Sequence, residues 1–251
     1  MELLTDESKK FIQDNIELID NNEFDTFLKK LNKESSSIKY DVINILQSCS
    51  IDFLNSVTHI PNYMFSGTNL ENVTIPDSVI SIGNMAFNNC KKLRSVIIPN
   101  SITSLSSGAF HGCTELETIT LPESMKRIGD TAFQFCIKLT SIKIPSGVTI
   151  IEESTFSYCK SLTNITIPIG VTRIGNSAFS YCSSLTSITI PDSVTSIGED
   201  TFWKCGKLKD VYYTGIKEQW KAIKKNQKWK VKDNSKSTMV IHCLDGDIKL
   251  N

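Results

Sequence analysis

Residues 139–145 read Leu-Thr-Ser-Ile-Lys-Ile-Pro, and the pattern returns as Leu-Thr-Asn-Ile-Thr-Ile-Pro at 162–168 and Leu-Thr-Ser-Ile-Thr-Ile-Pro at 185–191. Apolar and polar residues alternate around Ile142 and Ile144, which predicts a half-buried strand. Pro145 ends it, because proline has no N–H to give to a ladder. A second apolar set, Val148, Ile151 and Phe156, turns the chain back into the interior. The columns stay in register over the whole middle of the chain. Proline stands at 76, 99, 122, 145, 168 and 191, and phenylalanine at 87, 110, 133, 156, 179 and 202. Cysteine follows at 90, 113, 136, 159, 182 and 205, and leucine at 93, 116, 139, 162, 185 and 208. One 23-residue unit is therefore one coil of a solenoid, whose apolar face only stacking can bury. At a strand spacing of ~4.8 Å, about eight coils make a rod roughly 35–40 Å long.

The strand motif, the proline and the segment Ile174-Gly175-Asn176-Ser177-Ala178-Phe179-Ser180-Tyr181-Cys182 resemble the BspA-like leucine-rich repeats of bacteria and some parasitic protists. The resemblance implies an α/β repeat fold: a right-handed, β-rich leucine-rich-repeat solenoid. It also implies an adhesion or interaction role, often in secreted proteins. It covers about residues 51–213. A compact chain of this kind with a helical head also resembles phage- or prophage-encoded forms.

The first coil is degenerate. Ile51-Asp52-Phe53 stands in the strand position, the loop from Phe65 to Leu70 is short, and no cysteine follows Phe65. Pro61 occupies the column that later holds Gly83, Gly129, Gly175 and Gly198, with Ser106 and Glu152 between them. Proline fixes φ near −65°, so these glycines are expected to serve close packing rather than left-handed turns.

Both ends depart from the repeat. Residues 1–50 show helical stripes: Phe11, Ile12, Ile16 and Ile19; then Phe24, Phe27, Leu28 and Leu31; then Tyr40, Ile43 and Leu46. They read as an N-terminal helical cap, with a small separate binding domain as the other reading. Residues 214–251 read as a C-terminal cap: a short helix around Trp220, then a hairpin turning at Asp245-Gly246. The expected domains are thus 1–50, 51–213 and 214–251.

Composition is that of a globular protein, with 27 basic and 27 acidic residues cancelling. The head is acidic and the tail basic. The start, Met1-Glu2-Leu3-Leu4-Thr5-Asp6, has no basic region leading into an apolar one, which predicts a cytoplasmic protein. The cysteine column recurs because the repeat recurs, so each thiol needs only a local reason. No close cysteine pair suggests a metal site, and no cofactor motif is present. His59, His111 and His242 lie in no catalytic motif, and the nucleophile-elbow and phosphate-loop patterns are missing. The expectation is a chain that is not an enzyme. Lysines 217, 221, 224, 225, 228, 230, 232 and 236 interleave with Trp220 and Trp229. That pattern fits a solvated cap face, an acidic protein partner or a nucleic acid.

Two surfaces can meet a partner. Strand parity points Thr74, Ile97, Thr120, Lys143, Thr166, Thr189 and Tyr212 outward, and Arg94, Lys143 and Tyr212 are its best contact residues. The other surface lies two residues beyond the repeat phenylalanine, where the column reads Asn89, Gly112, Phe135, Tyr158, Tyr181 and Lys204, with Trp203 adjoining. These aromatics either stabilise the stack or form an exposed binding strip. The overall expectation is a non-enzymatic scaffold binding a protein target, with inhibition of a host or defence protein as one form of that role. The rivals are a cell-surface adhesin and a nucleic-acid binder acting through the basic tail.

Overall fold

A computed structural model describes residues 6–20, 26–27, 30, 33–35, 58–226, 228–230 and 239–250. It is a β-solenoid of about seven turns. Most coils contribute two short strands, which pair in parallel with the equivalent strands of neighbouring coils. Asn72–Thr74 pairs with Ser95–Ile97 and that with Thr118–Thr120. Asn164–Thr166 pairs with Ser187–Ile190 and that with Asp210–Tyr213. Burial alternates as the sequence parity requires, with Val73, Val96, Ile119, Ile165 and Ile188 inside. The return strands form their own ladders, His59–Ile60 through Arg127–Ile128 and Ile150–Ile151 through Lys224–Lys225.

The core is a column of phenylalanine rings. Phe65, Phe87, Phe110, Phe133, Phe156, Phe179 and Phe202 stack with centroids 5.1–5.9 Å apart and planes within 17° of parallel. Trp229 meets Phe202 edge-on at 6.1 Å, and Trp220 packs on Trp229 at 5.7 Å.

Beside the rings runs the cysteine column. Each thiol donates to the phenylalanine carbonyl of the preceding coil, from Cys90 to Phe65 at 2.9 Å through Cys205 to Phe179 at 2.9 Å. In the first coil Thr68 stands in, its hydroxyl donating to the Phe65 carbonyl at 2.8 Å and meeting Cys90 Sγ at 3.3 Å. The reading that each column cysteine has a local structural reason thus gains a mechanism: a sulfur small enough for the core gives its S–H to a carbonyl that already accepts the N–H three residues on in its own coil, which ties adjacent coils together. Burial pushes the thiols of Cys113, Cys136, Cys159 and Cys182 up, while Cys90 is drawn down by its hydrogen bond with Cys113. A thiol reagent is therefore expected to leave the six column cysteines, all free and buried, unlabelled until denaturant is added. Labelling of a column cysteine in the native protein, read by peptide mass, would show that the column opens.

The segment Leu139–Ile144 departs from expectation. It keeps the parity, with Ser141 and Lys143 exposed and Ile144 buried, but forms no ladder strand. The strand face is thereby divided into a three-stranded and a five-stranded sheet. The return ladder opens at the same place, between Arg127–Ile128 and Ile150–Ile151. The glycine column supplies the reason. A Cβ at Gly83, Gly129, Gly175 or Gly198 would come within 2.5–2.7 Å of the backbone of the preceding coil. None of these glycines has positive φ, so their close-packing role holds. Where the column carries Ser106, the return strand keeps one paired position with the preceding coil, Ile82 with Leu105. Where it carries Glu152, it keeps none with the preceding coil, while Ile150–Ile151 still pairs with Arg173–Ile174. The Glu152 carboxylate instead reaches Arg127 at 3.5 Å and Arg173 at 3.2 Å, tying the coils on either side of its own.

At the N-terminal end, α1 (Asp6–Asp20) begins with Asp6 and Glu7, favourable at a helix N-terminus. Phe11 and Phe27 are both buried, with centroids 5.6 Å apart. Ile12, Ile16 and Ile19, the third helical stripe at 40–46, and Ile51-Asp52-Phe53 lie outside the described side chains. At the other end, α2 (Lys217–Ala222) follows the last coil. Gln219 Oε1 accepts the Ile216 N–H at 2.9 Å, and Asp245 Oδ1 accepts the Lys217 N–H at 2.8 Å. Met239–Cys243 adds in parallel to Asp210–Tyr213, and Gly246–Leu250 folds back antiparallel. Cys243 pairs with Gly246, so the hairpin loop is Leu244-Asp245, one residue earlier than the Asp245-Gly246 expected. Gly246, at φ +113°, is the first residue of the returning strand. Asp245 is held in the loop by its bond to α2.

Candidate interaction surface

Each phenylalanine turn passes twice through left-handed backbone, two residues before and two after the ring. The later position reads Gly67, Asn89, Gly112, Phe135, Tyr158, Tyr181 and Lys204, with φ between 55° and 74°. Glycine and asparagine suit that conformation, whereas a side chain with a bulky Cβ substituent costs roughly 1–2 kcal/mol there. The three aromatics therefore sit where the backbone disfavours them. Their N–H groups are locked to the next coil: Phe135 to Ser157 O at 2.9 Å, Tyr158 to Ser180 O at 2.7 Å, Tyr181 to Trp203 O at 2.7 Å.

The rings are half-buried and lie on one another. Phe135 stacks on Tyr158 at 4.4 Å and Tyr158 on Tyr181 at 4.1 Å. Trp203 closes the row edge-on to Tyr181 at 4.7 Å, and His111 closes the other end, edge-on to Phe135 at 5.5 Å. Lys160 Nζ stands 5.9 Å from the Tyr158 ring and Lys204 Nζ 5.9 Å from Trp203. The Tyr158 hydroxyl, hydrogen-bonded to that of Tyr181, titrates above the usual tyrosine value. His111 is half-buried, its Nδ1 2.9 Å from Asn88 Oδ1, and burial lowers its pKa.

Arg94, Lys143 and Tyr212 belong to a different surface, the strand ladder. All three are exposed. Lys143 pairs with Glu123 at 2.6 Å, and beside it a cleft of about 460 Å3 opens between Ser141–Ile144 and Asn164–Thr166. Tyr212 stacks on His242 at 4.9 Å. Sequence reading missed His242, whose two ring nitrogens meet Asp210 at 2.9 Å and Asp247 at 3.0 Å. Those carboxylates, Asp210 first, raise its pKa. A histidine raised in the fold stabilises fully below its unfolded value near 6.5 and loses that contribution as pH climbs through the folded value. In an NMR titration His242 is expected to have its midpoint above 6.5 and His111 below it; the reverse order would contradict both environments.

Among the described residues of the basic tail, the two tryptophans offer no exposed stacking face. Trp220 and Trp229 are 3% and 7% exposed, inside the core. Lys225 is spent on the carbonyls of Trp220 and Ile223 and lies over the Trp220 ring, and Lys228 pairs with Glu199 at 2.9 Å. Lys232 and Lys236 lie outside the described residues. Among the described residues no cluster of histidine, cysteine and carboxylate has metal-holding geometry, and no helix is long and apolar enough to cross a membrane.

The repeats match the BspA type leucine-rich repeat region, over residues 8–116, 37–163 and 106–227. The chain belongs to the BspA type leucine-rich repeat family. A leucine-rich cell surface protein from Faecalibacterium prausnitzii is a similar structure, 33% identical with a TM-score of 0.55, over 68% of this chain and 55% of that one. A leucine-rich repeat protein from Bacteroides ovatus is 32% identical with a TM-score of 0.58, over 63% and 47%. The T. pallidum leucine-rich repeat protein is 30% identical with a TM-score of 0.57, over 61% and 72%. The BspA type chain thus spans about half the length of the first two. No curated protein matches it.

Proposed function

We propose that this chain is a non-enzymatic protein-binding scaffold and that the aromatic flank of Phe135, Tyr158, Tyr181 and Trp203 is its docking surface. Leucine-rich repeat proteins generally bind proteins, and a solenoid offers one rigid line of equivalent positions. The observation carrying the choice of surface is the backbone: three bulky aromatics on successive coils occupy left-handed positions that other coils fill with Gly67, Asn89, Gly112 and Lys204. Strain kept where the fold does not require it points to use. The scaffold acts by occupancy, covering a partner's surface in the manner of an inhibitor.

The test is capture of a partner from lysate of the source cell by three forms of the full chain. Wild type and a strand-face variant, Arg94→Ala with Lys143→Ala and Tyr212→Ala, are expected to retain the same partner. Tyr158→Asn with Tyr181→Asn is expected to lose it. The opposite pattern moves the docking surface to the strand ladder. A surface-displayed adhesin is the second reading, favoured by the cell-surface description of the similar F. prausnitzii structure. Protease treatment of intact cells separates the two, since only a displayed chain is cut.

A further inference from the structure

We infer that the aromatic flank takes an acidic, extended protein segment whose carboxylates seat on the exposed ring edges and on Lys160 and Lys204. The inference rests on the docking surface proposed above and adds the chemistry of its occupant. The rings spend their faces on each other, with planes 24° apart for Phe135 and Tyr158 and 16° apart for Tyr158 and Tyr181. A nucleobase stacks on a ring face, and between these rings there is no free face to take. What the row turns outward is ring edge, the positive rim of the aromatic quadrupole, together with tyrosine hydroxyls.

The charge beside the rings has the same sign. The two positions after the column cysteine carry Lys91, Lys92, Lys138, Lys160 and Lys207, and their single carboxylate, Glu115, is already paired with Lys138. Lys160 and Lys204 are both exposed, and each leans over a ring of the row. They stand two coils apart, about 10 Å along the stack, which one three-residue turn of a polyproline II segment spans while bringing every third side chain back to the same face. An acidic residue at every third position, with apolar side chains between, would meet both the lysines and the rings.

The experiment uses the full chain and a fluorescein-labelled peptide of repeated Glu-Ala-Phe units, read by fluorescence anisotropy. Saturable binding is expected, weakened about tenfold or more by Lys160→Glu with Lys204→Glu, and weakened by added salt. Lys224→Glu with Lys249→Glu, remote in sequence from the flank, is expected to leave it unchanged. Absent binding, or binding indifferent to Lys160 and Lys204, overturns the inference. Equal or tighter binding of single-stranded poly-deoxythymidine at the same residues overturns it in favour of nucleic acid. If the captured partner is lost with the tyrosine pair but kept with the lysine reversals, the docking surface stands and only its acidic occupant falls. If neither variant affects capture, the docking surface itself is refuted.

Discussion

Replacing Phe156 by alanine is expected to destabilise the fold by about 4 kcal/mol and to lower the melting temperature by roughly 10 °C. The ring is fully buried and is held on both faces, by Phe133 at 5.7 Å and Phe179 at 5.5 Å. Its removal loses the transfer energy of the ring and leaves a cavity that the neighbouring coils cannot collapse into. Their spacing is set elsewhere, by backbone hydrogen bonds such as Phe133 N–H to Thr155 O and Phe156 N–H to Ala178 O, both 2.9 Å. In a repeat stack stability is a sum of units and their interfaces, so the loss is local first. Amide exchange is expected to speed up most in the turns around residues 133, 156 and 179. The position lies next to the opened ladder at Glu152, where the return strands add no pairing across the junction. A melting temperature within measurement error of wild type would mean that the ring column is not the stabilising spine.

Much of this architecture was legible in the chain because a repeat tests each inference several times. The parity of Asn72, Ser95 and Thr118 against Val73, Val96 and Ile119 determines which way every strand faces, and the observed register pairs those residues one to one. The departures arose where a column average hides a single residue. Glu152 reads as another variant of the glycine position, yet its coil makes no return-strand pair with the coil before it. Residues 139–144 carry the same strand pattern as 162–167 and 185–190 and lie on that coil. The left-handed turn positions carried a signal in Gly67, Asn89, Gly108 and Gly112, but aromatics in later coils masked it. His242 could not be read at all, because Asp210 reaches it only through strand pairing between distant segments.

The double change Tyr158→Asn and Tyr181→Asn is expected to weaken binding of the captured partner by at least about 2 kcal/mol, roughly thirtyfold, while the melting temperature moves little. Two opposing terms make the stability change small. Losing the ring contacts at 4.4 Å, 4.1 Å and, to Trp203, 4.7 Å costs about 0.5–1.5 kcal/mol for each pair. Asparagine tolerates φ near 60° better than tyrosine does, which returns part of the roughly 1–2 kcal/mol held in each left-handed residue. Asn89 already occupies the same position in the coil after the first, with φ 55° and its N–H bonded to His111 O at 2.7 Å. The turn therefore accepts asparagine without rearrangement. Alanine is the harsher control, since it removes the ring without relieving the backbone. The tyrosines of a pure packing column would give the opposite result: a clear fall in melting temperature, with affinity reduced only in step with unfolding. Paired measurement of affinity and thermal unfolding on wild type, the asparagine pair and the alanine pair decides between a strained binding edge and a structural stack.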